Sequence, residues 1–493
     1  MRQRLAAATL AFALGAAACS SSDSDAIGDS DTTDRGNDSS DGAASGSGET
    51  SADTTDDQAN DRVATPVPTD WPRPDVPTGA LSDELDLALG EAVISASVGI
   101  PAGTLTTIAE SGDPRAAWVV VDLLQFLRGS PTADRLVGVY AKLTGAGLDP
   151  FAPWTAASNQ MISWDIPAPP NYVDYKRALY LLAEPKWEPF FEAGADVDWR
   201  HVGWGGVLID DRPLGDPNRC VGSCIPALDD PAVTDADGGS WYPDERLVFG
   251  VVVNDAARAY PRNIMEIHEM VNDDLGGRRI GVPYCTLCGS AQAYYTDNVP
   301  AVDDGTAFAP VLRTTGLLIR SNKMMFDLET FSLIDTFTGR ASTGPLAAAS
   351  VELEQVSIVT TTWADWKDAH PDTTIVAEDG GTGRTYSLDP LGSRDANGPI
   401  FPVGDVDPRL PVQEQVLGLT LNDGSFVGVH VADAVAALNA GDEITIGNIT
   451  LVLDGGGLRG QNEDGSDVGA HQAFWFAWSQ FHPETKVWPA DFS

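Results

Sequence analysis

The chain has 493 residues and is strongly acidic, with 72 Asp and Glu against 30 Lys and Arg and a formal charge of −42. A surface of this charge repels nucleic acid and anionic headgroups, so we expect no nucleic-acid partner. The length exceeds that of one ordinary domain and predicts at least two folded units.

The N-terminus has the pattern of a bacterial export signal. Arg2 and Arg4 precede an apolar run at residues 5–18, which is shorter than the roughly 20 residues of a spanning helix. Small residues lead into Cys19, as in lipoprotein signals, in which the cysteine is lipidated. We therefore predict a signal peptide at 1–19, lipidation of Cys19 and an extracytoplasmic protein held on the cell membrane by its lipid anchor. An ordinary signal peptide cut nearby is the alternative.

Residues 20–80 have the composition of a disordered linker. Ser, Asp, Thr and Gly dominate, large apolar residues are almost missing, and residues 20–62 hold twelve acids against Arg35 and Arg62. Such a segment has too little apolar surface to form a core. We predict an acidic tether between the anchor and the folded part.

Residues 81–204 predict a small helical domain. Residues 81–98 are apolar at helical spacing, and a second helix is expected at 113–129, where Asp113-Pro114 supplies the start and Gly129 the stop. A third helix is expected at 132–143. The short connections favour an antiparallel helical layer.

Residues 205–493 predict a β-rich domain, which makes the fold class α+β. A β-branched strand at 247–253 is followed by a turn and a hairpin partner at 258–260. A short helix at 264–271 carries His268 and Glu269, and a strand at 280–284 leads to Cys285.

An internal repeat is visible within this β-rich part. The segment at 245–255 recurs at 414–423, and the segment at 363–373 recurs at 476–485 in the same order. We predict two diverged repeats, at about 241–378 and 409–490. The second contains no cysteine, so a fold shared by both does not require the paired thiols.

A series of motifs follows in order through the same region. They are Cys224 to Pro231, Val251 to Pro261, His268-Glu269 with Val271 to Asp273, Tyr284 to Ala291, Thr315 to Leu318, Gly339 to Ala341, Gly344 to Ala347, Trp363 to Thr373, Tyr386 with Asp389-Pro390, and Phe474 to Thr485. With these motifs the chain resembles the bacterial domain-of-unknown-function family number 3179, over about residues 205–490. The family usually has a proline where Thr286 stands. The resemblance implies an exported, often lipid-anchored protein with no established activity.

The remaining cysteines form two close pairs, Cys220 with Cys224 and Cys285 with Cys288. Three interpretations stay open for them. A redox pair would place the first cysteine at a strand end with a helix after it. A metal knuckle fits Gly289 after Cys288, and soft thiolates with an imidazole select zinc, copper or iron. Structural disulfides suit an oxidising compartment, and a bridge between the pairs, such as Cys224 with Cys285 or Cys288, is expected to stabilise better than one within a pair.

Two residues next to this motif are further candidates. His268 would complete a metal site with Cys285 and Cys288, with Cys224 and Cys220 in reserve, and Glu269 is a candidate general base. The alternative for His268 is a hydrogen bond to a buried carbonyl. The leading hypothesis is a cell-surface protein with thiol-based metal binding or redox activity; the alternative is a non-enzymatic envelope binding or scaffold protein whose cysteines are disulfides.

Overall fold

The computed structural model describes residues 71–192, 195–216, 220, 222–297, 299, 309–392 and 398–492. The predicted signal peptide, Cys19 and most of the predicted linker lie outside the described residues. Within the described chain, none of the helices combines the length and the apolar character needed to cross a membrane.

The N-terminal part is helical, as predicted. Ser82 and Ser130 cap the starts of two of its helices by accepting backbone N–H groups, and Gly112 and Gly145 follow the ends of two helices in the left-handed conformation. Short 3₁₀ turns lie at Pro114–Ala116, Pro185–Phe191 and Trp199–His201. The α-helices are α1 Asp83–Ile94, α2 Ala102–Ser111, α3 Ala117–Phe126, α4 Pro131–Thr144, α5 Pro153–Trp164 and α6 Tyr172–Tyr180.

The C-terminal part is β-rich, again as predicted, and its described strands form five small sheets in a propeller-like ring. The strands are β1 Val202–Trp204, β2 Leu228–Asp229, β3 Val233–Asp235, β4 Leu247–Val253, β5 Ala256–Pro261, β6 Met270–Leu275, β7 Arg278–Cys285, β8 Ser290–Ala291, β9 Ala293–Tyr295, β10 Leu312–Ile319, β11 Asn322–Asp327, β12 Leu333–Asp335, β13 Gln355–Val356, β14 Ile358–Thr362, β15 Thr374–Val376, β16 Gln415–Thr420, β17 Phe426–His430, β18 Ile444–Ile446, β19 Ile449–Asp454, β20 Gly457–Asn462, β21 His471–Phe474 and β22 Lys486–Trp488. The helices between them are α7 Arg262–His268, α8 Gly344–Ala348, α9 Trp363–Ala369, α10 Val431–Ala440 and α11 Trp475–Phe481, with 3₁₀ turns at Gly238–Trp241 and Ala490–Phe492.

Two of these sheets share a strand order. One runs β14-β4-β5-β15, with β3 added at its edge, and the other runs β21-β16-β17-β22. In each, the first two pairings are antiparallel and the third is parallel. We call the first sheet with α7 and α9 the first module, and the second with α10 and α11 the second module.

A tryptophan packs on a glycine in each module. A Cβ atom added to Gly250 would lie 2.3 Å from the Trp366 ring, and one added to Gly418 would lie 2.1 Å from the Trp478 ring. Each indole N–H donates to a threonine, Thr373 or Thr485, at 2.9 Å. Only glycine allows the helix to approach the strand this closely, so the two modules use the same contact.

The helical part and the β-rich part share one core. A single buried cluster extends from α1 to β12, and it includes Leu317, Phe326 and Leu333 of the sheet β1-β10-β11-β12. The Trp187 indole donates to the Thr315 carbonyl at 2.8 Å. The helices therefore position β10 and β11, which matters because β11 carries a residue of the candidate site.

Candidate functional site

Glu269 stands at an unusual backbone position. It follows the last residue of α7 with φ of 51°, in the left-handed region where glycine is the usual helix-ending residue. Its carbonyl oxygen accepts a hydrogen bond from the Tyr284 N–H at 2.9 Å and another from the Lys323 ammonium. Its carboxylate accepts a 2.7 Å bond from the Thr286 hydroxyl, so it is fixed against the loop between the two cysteines.

Cys285 and Cys288 form a disulfide across a tight turn. The Cα atoms are 5.4 Å apart, and the Cys288 N–H donates to the Cys285 carbonyl at 3.2 Å. Gly289 follows with φ of 57°, and a Cβ there would lie 2.8 Å from the Phe474 ring. The chain then enters β8, so a strand follows the turn and the helix that a redox pair would need is not formed there.

This disulfide lies inside the protein. Cys285 is 2% exposed and Cys288 is fully buried, in a cluster that includes Val416, Trp475 and Trp478 of the second module. The Phe474 N–H donates to the Cys288 carbonyl at 2.8 Å. The turn therefore joins the sheet of β7 to the second module.

Cys220 and Cys224 form the other disulfide, also with a Cα separation of 5.4 Å. Each cysteine therefore bonds within its own pair, and the bridge between the pairs, such as Cys224 with Cys285 or Cys288, that was expected to stabilise better is not formed. Both sulfurs lie near Asp210, within 4.8 Å of one another and of its carboxylate. That carboxylate already accepts bonds from the Arg212 guanidinium at 2.7 Å and from the Ala227 N–H at 2.8 Å.

His268 is not brought to the cysteines as a ligand. Its Nδ1 lies 2.7 Å from the Pro226 carbonyl oxygen and its Nε2 lies 2.7 Å from the Tyr386 hydroxyl. Because a carbonyl only accepts, Nδ1 carries the proton and Nε2 accepts from the tyrosine. Burial lowers the pKa of His268 to about 4, so the ring is neutral. This is the alternative predicted for His268, a hydrogen bond to a buried carbonyl, and the tentative metal set of Cys285, Cys288 and His268 is not assembled.

Glu269 lines a small cavity of about 40 Å³ beside the disulfide turn. Thr286 and Leu287 of the turn, Lys323 of β11 and Phe401 complete much of its wall. The segment that carries Phe401 is held by the helical part, since Asn159 accepts the N–H groups of Val403 and Gly404 at 2.9 Å each. The polar side chains of the lining are those of Glu269, Thr286, Thr314 and Lys323, and the rest are glycines and apolar side chains.

Lys323 belongs to this site although no sequence pattern predicted it. It is 5% exposed, and burial lowers its pKa to about 8, an effect that the nearby Glu269 carboxylate partly opposes. One sequence feature could have indicated Lys323. It is a lysine placed directly before the apolar residues Met324, Met325 and Phe326, in a strand whose residues are all buried. A carboxylate and an amine that titrates near neutral pH then meet in one apolar cavity, an arrangement suited to holding a polar ligand or moving a proton.

The family model described as "Protein of unknown function (DUF3179)" matches residues 223–445. The match confirms the predicted resemblance over those residues, a shorter range than the one expected from the motifs. No curated protein and no solved structure matches the chain. Glu269, Thr286, Lys323 and the Cys285–Cys288 disulfide all lie inside the matched range, whereas Cys220 lies before it.

Proposed function

We propose that this chain, whose DUF3179 region has no known activity, is an extracytoplasmic lipid-anchored protein that binds a small polar ligand in the cavity beside the Cys285–Cys288 disulfide. One observation carries the proposal: Glu269, at the end of α7, and Lys323, in β11, line the same apolar cavity. Lipid attachment through Cys19 is the part of the proposal that rests on the sequence alone.

The backbone at Glu269 supports a functional role for this residue. A side chain in the left-handed region costs on the order of 1 kcal/mol relative to glycine, and a negative charge at the end of a helix is on the less favourable side of the helix dipole. Strained residues of this kind concentrate at ligand sites, where the surrounding structure holds them in place.

The two polar side chains complement each other chemically. Lys323 has no carboxylate within salt-bridge distance in the described part of the chain, so its ammonium donates to a carbonyl oxygen and can also donate to a ligand. Glu269 accepts from Thr286 through Oε1 and can accept from a ligand through its other oxygen. The volume of about 40 Å³ admits a few waters or a ligand of only a few heavy atoms.

Two disulfides are compatible with a structural or a redox role, and the burial of Cys285 and Cys288 favours the structural one. Thiol exchange needs access to a sulfur, which a folded partner protein does not have here. A sulfur bonded to another sulfur is also not the thiolate that zinc, copper or iron selects. We therefore prefer the binding-protein alternative to a thiol-centred metal or redox function.

The test is a thermal-shift series on the purified chain. A panel of acids, aldehydes, ketones and alcohols of about four heavy atoms or fewer matches the cavity volume. A ligand that binds the folded state raises the Tm with concentration. We expect at least one compound to raise the Tm of the wild type but not that of Glu269→Gln or Lys323→Met.

Matched controls are Glu443→Gln and Lys142→Met, which change exposed residues outside the cavity. They should keep the full shift. A panel without effect on the wild type, or a shift that both cavity variants retain, would contradict the proposal.

We also infer that the two modules arose by duplication. The recurring segments at 245–255 and 414–423, the common strand order and the matched Trp–Gly contacts support this. On this view the disulfide turn was added to one copy of an older unit.

A further inference from the structure

His268 and Glu269 face two different cavities. Glu269 lines the small cavity, whereas His268 lines a cleft of about 600 Å³ with residues 226–230 and the loop 380–385. The left-handed backbone at Glu269 turns the chain between them. A volume of this size falls in the range of small-molecule sites, and the lining is mainly polar.

One wall of the cleft is held by a chain of hydrogen bonds. The Tyr386 hydroxyl donates to His268 Nε2 at 2.7 Å and lies 3.4 Å from the Thr382 hydroxyl. The Thr382 hydroxyl donates to the Asp379 carbonyl at 2.9 Å, within its own loop. Tyr386, which follows this loop, is tied to α7 by its bond to His268.

The charges in the lining are mostly compensated. Asp229 pairs with Arg313 at 2.7 Å, Asp230 pairs with Arg279, and Arg212 pairs with Asp210 at 2.7 Å.

Arg384 differs from these residues. Its guanidinium lies 5.5 Å from the centre of the Tyr386 ring, and no acid within 4 Å pairs with it among the residues that the structure describes. The chain as a whole carries a formal charge of −42, so an arginine without an acidic partner is unusual in it.

Arg384 sits in a loop whose backbone bonds to itself. Gly380, Gly381 and Gly383 all have positive φ, at 60°, 81° and 71°, and the N–H groups of Gly380, Gly381 and Arg384 donate within the loop. A guanidinium in such a loop matches the planar oxygen pair of a carboxylate. Asp230, whose side chain is 56% exposed, keeps lone pairs that accept from hydroxyl groups.

We propose that this cleft binds a small hydroxylated carboxylic acid of the sugar-acid class, with Arg384 holding the carboxylate and Asp230 accepting from a ligand hydroxyl. A single unpaired guanidinium balances one negative charge. A phosphate dianion would face the neighbouring aspartates with one charge uncompensated. The cleft is separate from the Glu269–Lys323 cavity and does not depend on it.

The experiment is isothermal titration of the full chain with D-glucuronate, D-glucose, acetate and D-glucose 6-phosphate. Glucuronate should bind, and the other three should bind at least about tenfold more weakly, since each lacks the carboxylate, lacks the hydroxyl groups or carries a dianion. Arg384→Gln should weaken glucuronate binding about tenfold or more. Arg384→Lys should weaken it less, because lysine keeps the positive charge but lacks the planar pair of N–H donors of arginine.

Two further variants act as controls. Arg340→Gln changes an exposed arginine outside the cleft, and Lys323→Met changes the other cavity; both should keep glucuronate affinity. Absence of glucuronate binding, equal affinity in Arg384→Gln with an unchanged Tm, or tighter binding of glucose or of the phosphate ester would each overturn the proposal.

Discussion

The two modules have the same framework but differ at the end of their first helix. In the second module α10 ends with Gly441, in the left-handed conformation with φ of 92°. In the first module α7 ends with Glu269, also left-handed, with φ of 51°. Glycine is the residue that this backbone position favours. The second module therefore indicates what the framework alone requires, and Glu269 is a departure from it.

The departure at Glu269 lies beside a feature outside the sheet of the first module. The strand β6 begins directly after Glu269 and pairs with β7, which ends in the Cys285–Cys288 turn; the Thr286 hydroxyl in this turn bonds the Glu269 carboxylate at 2.7 Å. The second module has neither the cysteines nor a buried glutamate at this place. The comparison shows that two different sets of residues are involved. One set, which we call the framework, holds each module together, and another set forms the cavity.

The largest effect is expected from the shared framework. Trp366→Ala and Trp478→Ala each remove a buried indole from its glycine contact and should each lower the free energy of unfolding by about 3–5 kcal/mol. Guanidinium denaturation followed by circular dichroism measures both losses. Trp71→Ala, at a residue that is 42% exposed, should cost much less. A large loss for one buried tryptophan and almost none for the other would break the equivalence of the modules.

The next effect belongs to the cavity alone and depends on pH. The pKa of Lys323 is lowered to about 8 in the folded state, below the value of about 10.4 in an unfolded chain. Between these values the unfolded state binds more protons, so the contribution of Lys323 to the free energy of unfolding rises with pH. This contribution to the free energy of unfolding rises by about 3 kcal/mol from pH 8 to pH 10.4, because a shift of one pKa unit corresponds to about 1.4 kcal/mol.

Lys323→Met isolates this term, because it removes the titrating amine and leaves the other groups unchanged. The difference in the free energy of unfolding between variant and wild type should favour the variant at pH 7 and shrink as the pH approaches 10. Urea denaturation at several pH values measures it, with Lys142→Met as an exposed control. A difference that does not change with pH would mean that Lys323 is not held in a desolvating site.

A smaller loss is expected from the disulfide turn. The double variant Cys285→Ala, Cys288→Ala removes a bridge across a very short loop, for which the loss of chain entropy predicts about 2 kcal/mol. Alkylation with iodoacetamide, followed by peptide mass mapping, reports the state of the native sulfurs. Labelling of Cys285 or Cys288 in the folded chain after mild reduction would support the redox interpretation instead, since it would show a sulfur that reagents reach.

The sequence predicted the framework because the framework is local. Apolar residues at helical spacing mark α1, a β-branched apolar run marks β4, and the recurring segments at 363–373 and 476–485 fall on the helices α9 and α11. The motif Cys285 to Cys288 and its neighbour Glu269 were found in the same way. These signals need only residues that are close in the chain.

The features that the sequence did not predict depend on contacts between residues that lie far apart in the chain. Lys323 reaches Glu269 across a separation of 54 residues, and Asn159 holds the Phe401 segment from a separation of about 244. No spacing rule connects such residues. The orientation of His268 away from the disulfide depends on Pro226 and Tyr386, which lie 42 and 118 residues away in the chain.

The smallest effect tests the departure at the helix end directly. Gly441→Ala places a Cβ in a left-handed position and should lower the free energy of unfolding by about 1 kcal/mol or more. Glu269→Gly makes the opposite change in the first module. It relieves on the order of 1 kcal/mol of backbone strain and loses the Thr286 hydrogen bond, worth about 1 kcal/mol, so the net change should lie close to zero. Paired denaturation curves separate the two variants. A loss of several kcal/mol in Glu269→Gly would mean that the glutamate belongs to the framework, and the distinction between framework and site would then fail at its central residue.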